Sequence, residues 1–164
     1  MAARMALATA CNASIHLELI NNKPTLIPEN GHISMSHGGQ LAVAAWHPSL
    51  EVGVDIESDR EKLVIIAAKF LSDADLFRVK QAKEPQWMRR VAWGAKEAVY
   101  KAAHQTGLAF KTIALDSLEG LATEGHAIAR LPDQRRYAIH AQKLDGHCLV
   151  TAVQLPTVFR VVIT

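Results

Sequence analysis

The period of apolar and polar positions changes along the chain, and each change marks an element. Between Ile33 and Ile56, two short apolar runs at 41–46 and 52–56 are separated by Gly, His and Pro, which predicts two strands. Over 60–71 the spacing turns helical, with Leu63, Ile66, Ala67 and Phe70 on one face. Ser72 followed by Asp75 resembles a capping box, with Asp in place of the usual Glu or Gln, and predicts the start of a second, short helix. Beyond Pro85, a residue suited to a first helical turn, Trp87, Val91, Ala95, Ala98 and Ala102 form one apolar stripe that runs to His104, with Gly107 as the stop. In the tail Tyr137, Ile139 and Ala141 alternate with polar residues, and Cys148, Val150 and Ala152 follow Asp145-Gly146, a hairpin signal. Residues 110–115, 127–131 and 158–163 are further strand candidates. The sum is an α+β fold with a mainly antiparallel sheet, with no repeat or low-complexity tract.

A chain of 164 residues is one domain or at most two small lobes, and it is long enough to bury a core. With 49% hydrophobic and 21% charged residues the composition is globular rather than disordered. A net charge of +2 is too weak to argue for nonspecific nucleic-acid or membrane binding, so phosphate recognition must be local. Cys11 and Cys148 show no zinc-like spacing and make no disulfide framework, which favours a reducing compartment. Residues 1–11 mimic a leader, but their apolar stretch is short and weakly hydrophobic, and no run approaches the roughly 18 apolar residues of a membrane helix. A cytoplasmic protein is expected.

Two constellations carry chemistry. Asp55 and Glu57 are two apart in a predicted strand, so their side chains leave on one face, with Cα atoms roughly 6.6 Å apart, and can share one hard cation. The plain alternative is that both pair with arginines such as Arg60. In the helix, Glu97 and Lys101 are i,i+4 and stand on one side, while Lys96 is rotated by about 100° and borders that face. A solvated Glu-to-Lys pair of about 0.2–0.5 kcal/mol accounts for these two in isolation. Three converging carboxylates, however, would suit Mg²⁺, and two nearby lysines would suit the phosphates such an ion accompanies. That is the outline of a phosphate-transfer site.

Val52-Gly53-Val54-Asp55-Ile56-Glu57, followed about 35 residues later by Trp93-Gly94-Ala95-Lys96-Glu97-Ala98-Val99-Tyr100-Lys101, resembles the two signature motifs of the 4′-phosphopantetheinyl transferases. Upstream, Asn22-Lys23-Pro24 and Ile33-Ser34-Met35-Ser36-His37-Gly38 look like segments of the two-lobed, surfactin-type branch, and 69–75 is similar to its aromatic-rich stretch before a helix. The resemblance implies that fold, with a shortened N-terminal lobe at 1–50 and a C-terminal lobe at 51–164 carrying both motifs. It implies transfer of the phosphopantetheine arm of coenzyme A to a serine of an acyl or peptidyl carrier protein, with Mg²⁺ and release of adenosine 3′,5′-bisphosphate. Asp55, Glu57 and Glu97 would hold the metal, with Glu97 also the general base. Lys101 would sit at the pyrophosphate, Lys96 more weakly so; Ser36 and His37 would contact coenzyme A phosphates, and Lys23 the nucleotide.

The departures are a first lobe of only about 50 residues, with Arg4 the one arginine before Asp55, and a glycine, Gly94, inside the long helix, where it costs about 1 kcal/mol relative to Ala. A pyrophosphate-cleaving hydrolase on the same scaffold, or a carrier-protein or coenzyme A binding module without turnover, is the competing reading. For the carrier-facing surface the helix from Ser72, with Leu76, Phe77, Arg78 and Lys80, is a candidate, although Leu76 and Phe77 serve equally well as core. Whether copies of the chain assemble into a homo-oligomer to complete the pocket is left open.

Overall fold

A computed structural model of the chain describes residues 2–11, 16–20, 23–27, 31–58 and 61–156. In chain order these form α1 (Ala2–Cys11), β1 (His16–Ile20), β2 (Lys23–Ile27), β3 (His32–Gly38), β4 (Leu41–His47) and β5 (Val52–Glu57). Then come α2 (Lys62–Phe70), α3 (Asp73–Gln81), α4 (Pro85–Ala103), a 3₁₀ turn at Phe110–Thr112, β6 (Ala114–Leu115), α5 (Leu118–Thr123), β7 (His126–Arg130), β8 (Arg136–Leu144) and β9 (His147–Gln154). The fold is α+β, and every strand pair described is antiparallel, as the alternating tail predicts. β1–β2 and β3–β4 are separate hairpins; the remaining strands make one sheet in the order β5-β9-β8-β7-β6.

α4 is the spine of the larger core. Its apolar stripe buries Val91, Ala95, Ala98 and Ala102 against β5 and β9, whose own inward positions include Val150 and Ala152. A smaller cluster of Leu17, Leu26 and Ile33 fastens the two hairpins to each other. The opening stretch is the helix α1, packed on β4, with Arg4 Nη2 donating to the Leu17 carbonyl at 3.1 Å. No helix among the described residues is long and apolar enough to cross a membrane.

Local signals decide several boundaries. Ser72 Oγ accepts from the Asp75 N–H at 3.1 Å and donates to Asp75 Oδ2 at 2.8 Å, so the shorter Asp closes the box onto the hydroxyl and α3 starts there. Pro85 is in the first turn of α4. At the other end α4 runs to Ala103, where the apolar stripe places its end: His104 takes a left-handed conformation (φ 49°) and Arg135 Nη1 donates to the Ala103 carbonyl at 3.0 Å. Arg135 also holds Glu51 and Gln105, and the Tyr137 hydroxyl donates to Glu51, so the helix end and the start of β5 share one anchor. Leu144 pairs with His147, leaving Asp145-Gly146 as a two-residue turn with φ 47° and 78°.

Other expectations need revision. Residues 110–115 split into a 3₁₀ turn and the two-residue β6; 127–131 corresponds to β7; 158–163 lies outside the described residues. The β1–β2 hairpin, β3 and α5 carry weak apolar periodicity. α5 is recognisable only by its cap, Ser117 Oγ accepting from the Gly120 N–H at 2.9 Å.

The crossing of α4 over β5 is closer than side chains allow. A Cβ on Gly53 would lie 1.8 Å from the Ala98 carbonyl oxygen, so the strand backbone touches the helix backbone there. One on Gly94 would meet Val150 Cγ2 at 2.9 Å and Asp55 Oδ2 at 3.6 Å, which explains the mid-helix glycine. Gly53→Ala should therefore lower the urea unfolding midpoint by an amount equivalent to about 3 kcal/mol or more. Gly94→Ala, relieved in part by rotation of Val150, should cost less; equal losses would contradict the backbone contact.

Candidate active site

β5 is an edge strand, hydrogen-bonded to β9 on one side only. Its other rim is met by side chains rather than by a ladder. Ser34 Oγ accepts from the Val54 N–H at 3.0 Å and Ser36 Oγ from the Ile56 N–H at 3.4 Å. Lys101, near the end of α4, donates from Nζ to Asp55 Oδ1 at 2.7 Å, to Ser36 Oγ at 3.0 Å and to the Val54 carbonyl at 3.1 Å. The Ser36 hydroxyl in turn donates to Asp55 Oδ1 at 2.9 Å. The three N–H groups of the ammonium thus have three oxygens, which fix where Lys101 points.

Asp55 and Glu57 are only 3% and 5% exposed, a costly position for two carboxylates. Asp55 is neutralised by Lys101; Arg60 lies outside the described residues. Trp93 Nε1 donates to Glu57 Oε1 at 3.0 Å, and its indole is held between Phe70 and Phe110, ring centroids 5.0 and 5.2 Å away. Trp93 touches Glu57 and Lys101 touches Asp55. Glu97 falls midway between them on the same helix face, half-buried, one turn from each.

The donor set fits a hard divalent cation. It is all oxygen, and Asp55 Oδ2 is buried yet accepts no hydrogen bond. The carboxylates are nevertheless not drawn tightly around a point: among the described residues no three His, Cys, Asp or Glu side chains form a ready metal cluster.

The remaining candidates divide. Ser36 is brought into the centre, whereas His37, next in β3, points the other way and is exposed. Lys23 opens β2 opposite Ile20, and its side chain lies outside what the structure describes. Lys96 corrects an expectation. The residue is 1% exposed and its ammonium donates to the carbonyls of Phe110 and Ile113 at 2.9 and 2.6 Å, so it pins the 3₁₀ turn instead of facing phosphates. Burial pushes this lysine down to about 8, with nearby Asp75 opposing the shift. Cys148, paired in register with Glu57, is sealed in the core, and burial pushes its thiol up to about 12. Sequence reasoning missed Trp93 as a partner of Glu57, and Ser34. The alternation of Ser34 and Ser36 with Ile33 and Met35 was the available signal. A cavity of about 260 Å³ opens beside Lys101, walled by Pro24, Ile33, Ser34 and Tyr100.

The family model for ACPS, described as the 4′-phosphopantetheinyl transferase superfamily, matches residues 51–153. The chain belongs to that superfamily. Among solved structures, the fold of this superfamily member is similar to holo-[acyl-carrier-protein] synthase (AcpS) from Thermotoga maritima, with a TM-score of 0.52 at 14% identity. That likeness covers 64% of this chain and 63% of the other, so the chain spans less than two thirds of its length, and it bears on fold alone. Holo-[acyl-carrier-protein] synthase (AcpS) from Neisseria meningitidis gives a TM-score of 0.46 at 20% identity, over 65% of this chain and 98% of the other. No curated protein matches the sequence.

Two predictions follow from the electrostatics. Lys101→Met leaves Asp55 buried without its counter-charge and should cost about 3 kcal/mol in urea unfolding, with at least half recovered in Asp55→Asn/Lys101→Met. For Lys96, the folded chain binds fewer protons than the unfolded one between the lowered value of about 8 and the ordinary lysine value of 10.5. The cost of burying the ammonium is therefore present in full below pH 8 and relieved as pH rises. Relative to Lys96→Met, the parent protein should gain stability from pH 8 to 10; parallel curves would count against the assignment.

Proposed function

We propose that the chain moves the 4′-phosphopantetheine arm of coenzyme A onto a serine of an acyl or peptidyl carrier protein, releasing adenosine 3′,5′-bisphosphate. Membership of the superfamily supports this reading. The observation that carries it is the Lys101 ammonium, 2.7 Å from Asp55 at the rim of an edge strand, with the second Asp55 oxygen left without a hydrogen bond. A diphosphate arriving there meets a preorganised cation in a site largely closed to water.

Asp55, Glu57 and Glu97 would hold Mg²⁺, which when bound supplies charge neutralisation across the diphosphate. Trp93 orients Glu57, and the Ser36 hydroxyl and Lys101 orient Asp55. Glu97 accepts the proton of the carrier serine, directly or through a water, as the serine oxygen bonds to the β-phosphorus. The phosphorus–oxygen bond to the nucleotide breaks, and Lys101 stabilises or protonates the departing phosphate. Ser36 contacts a coenzyme A phosphate, whereas His37 faces the other side of β3, away from this centre, and Lys23 is the proposed nucleotide contact. The cavity between Pro24 and Lys101 offers space beside the ammonium. Residues 1–50 act as a shortened first lobe and 51–164 as the second.

The test incubates the protein with coenzyme A, Mg²⁺ and an apo carrier protein and weighs the carrier by mass spectrometry. A gain of one phosphopantetheine is expected. Free phosphopantetheine with unmodified carrier would instead identify a hydrolase, and a complex without turnover a binding module. Glu57→Gln should lower turnover by about 100-fold or more with the melting temperature unchanged; an undiminished rate would show that the metal ligands are misassigned.

A further inference from the structure

Lys101 acts from the last turn of α4, where the carbonyls of a helix have no partners within it. One of them, that of Ala103, is taken by Arg135, which stands 32 residues further on in the turn between β7 and β8. Each nitrogen of this guanidinium has an acceptor. Nε donates to Asp133 Oδ2 at 2.8 Å within its own turn. Nη1 faces the Ala103 carbonyl at 3.0 Å and Glu51 Oε2 at 3.3 Å, and Nη2 donates to Gln105 Oε1 at 2.9 Å. The rigid, planar fork thus ties its turn to the residue ahead of β5 and to the chain on both sides of the α4 terminus.

The acid on which the fork rests is itself held. The Glu51 carbonyl accepts from the Gln154 N–H at 2.9 Å, and its carboxylate accepts from the hydroxyl of Tyr137, a residue with 0% exposure. Burial, and after it the Glu51 carboxylate, pushes the Tyr137 phenol above its ordinary value, so the hydroxyl keeps the proton it donates. Two of the points that Arg135 secures adjoin the candidate active site. Ala103 is two residues beyond Lys101, and Gln105 lines the cavity of about 260 Å³ that contains Lys101. The third, Glu51, leads into β5, whose Val54 carbonyl and Asp55 carboxylate receive the Lys101 ammonium at 3.1 and 2.7 Å.

We propose that Arg135 is a positioning residue for the transfer: by locking the end of α4 to the entry of β5 it sets the reach of the Lys101 ammonium toward Asp55 and the arriving diphosphate. It acts on that contact through the backbone on either side of it. The inference rests on the transferase reading for its chemistry and on these hydrogen bonds for its geometry. Alignment is what such a clamp supplies, and a misplacement of about 1 Å costs a reaction of this kind about 100-fold. Charge alone does not replace it, since a lysine ammonium is a compact point that cannot span Glu51, Ala103 and Gln105 together.

The test measures steady-state kinetics with coenzyme A, Mg²⁺ and an apo carrier protein, well below the melting temperature of each variant. Arg135→Met and Arg135→Lys should each lower kcat by about tenfold or more, with KM for the carrier protein unchanged. A clamp that serves stability alone would lower the melting temperature and leave kcat where it was. That result, or full activity in Arg135→Lys, overturns the proposal. If the parent chain itself leaves the carrier unmodified, the transferase reading fails and urea unfolding decides the geometry. Loss of Arg135 loosens the Lys101 contact beforehand, so the midpoint shift of Arg135→Met/Lys101→Met should fall short of the sum of the two single shifts. Simple additivity would show that the clamp does not govern Lys101.

Discussion

Backbone contact between α4 and β5 is the constraint on which the site depends. Gly53 and Gly94 remove the two Cβ atoms that would hold helix and strand apart, and the alanine stripe of α4 keeps the rest of the interface thin. At that separation Lys101 can reach around the strand edge to Asp55 and Val54. An ordinary helix-on-sheet spacing of about 10 Å would leave these groups to water. The far end of the same crossing is held by Arg135, which binds Glu51 ahead of β5 and the last carbonyl of α4.

Burying two carboxylates opposes folding, and the structure offsets that cost in part. Asp55 has a full counter-charge and Glu57 accepts from the Trp93 indole, while one oxygen of Asp55 has no hydrogen bond. Sites that hold charge in such partly compensated form are those where a further charged group is accommodated in function. Lys96 shows the opposite economy one residue from Glu97: two carbonyls take up its ammonium, and its role is to fix Phe110 against Trp93.

Much of this was legible in the sequence where one period persists over many residues. α2, α4, and the β8–β9 hairpin with its Asp145-Gly146 turn follow directly from spacing, and Ser72 announces α3. What was not legible depends on side chains meeting across long separations. Lys96 and Lys101 are five positions apart on one helix, and only the packing of the 3₁₀ turn determines that the first is buried in structure and the second faces Asp55. His37 and Ser36 are adjacent, and the alternation of a strand whose face could not be assigned from its weak apolar pattern sends only one of them inward. The end of α4 near His104 follows from its stripe, but not that a left-handed histidine, beside a carbonyl held by a distant arginine, does there what glycine usually does.

The rim of β5 has a consequence for solubility. Unpaired N–H and C=O groups along an outermost strand ordinarily invite another chain to extend the sheet. Here two serine hydroxyls and an ammonium occupy those groups, so the polar backbone that would otherwise seed self-association is sequestered by the same atoms that shape the pocket. Loss of Ser34 or Lys101 would thus strand a backbone group of that rim as well as disturb the site, so the same atoms serve solubility and chemistry.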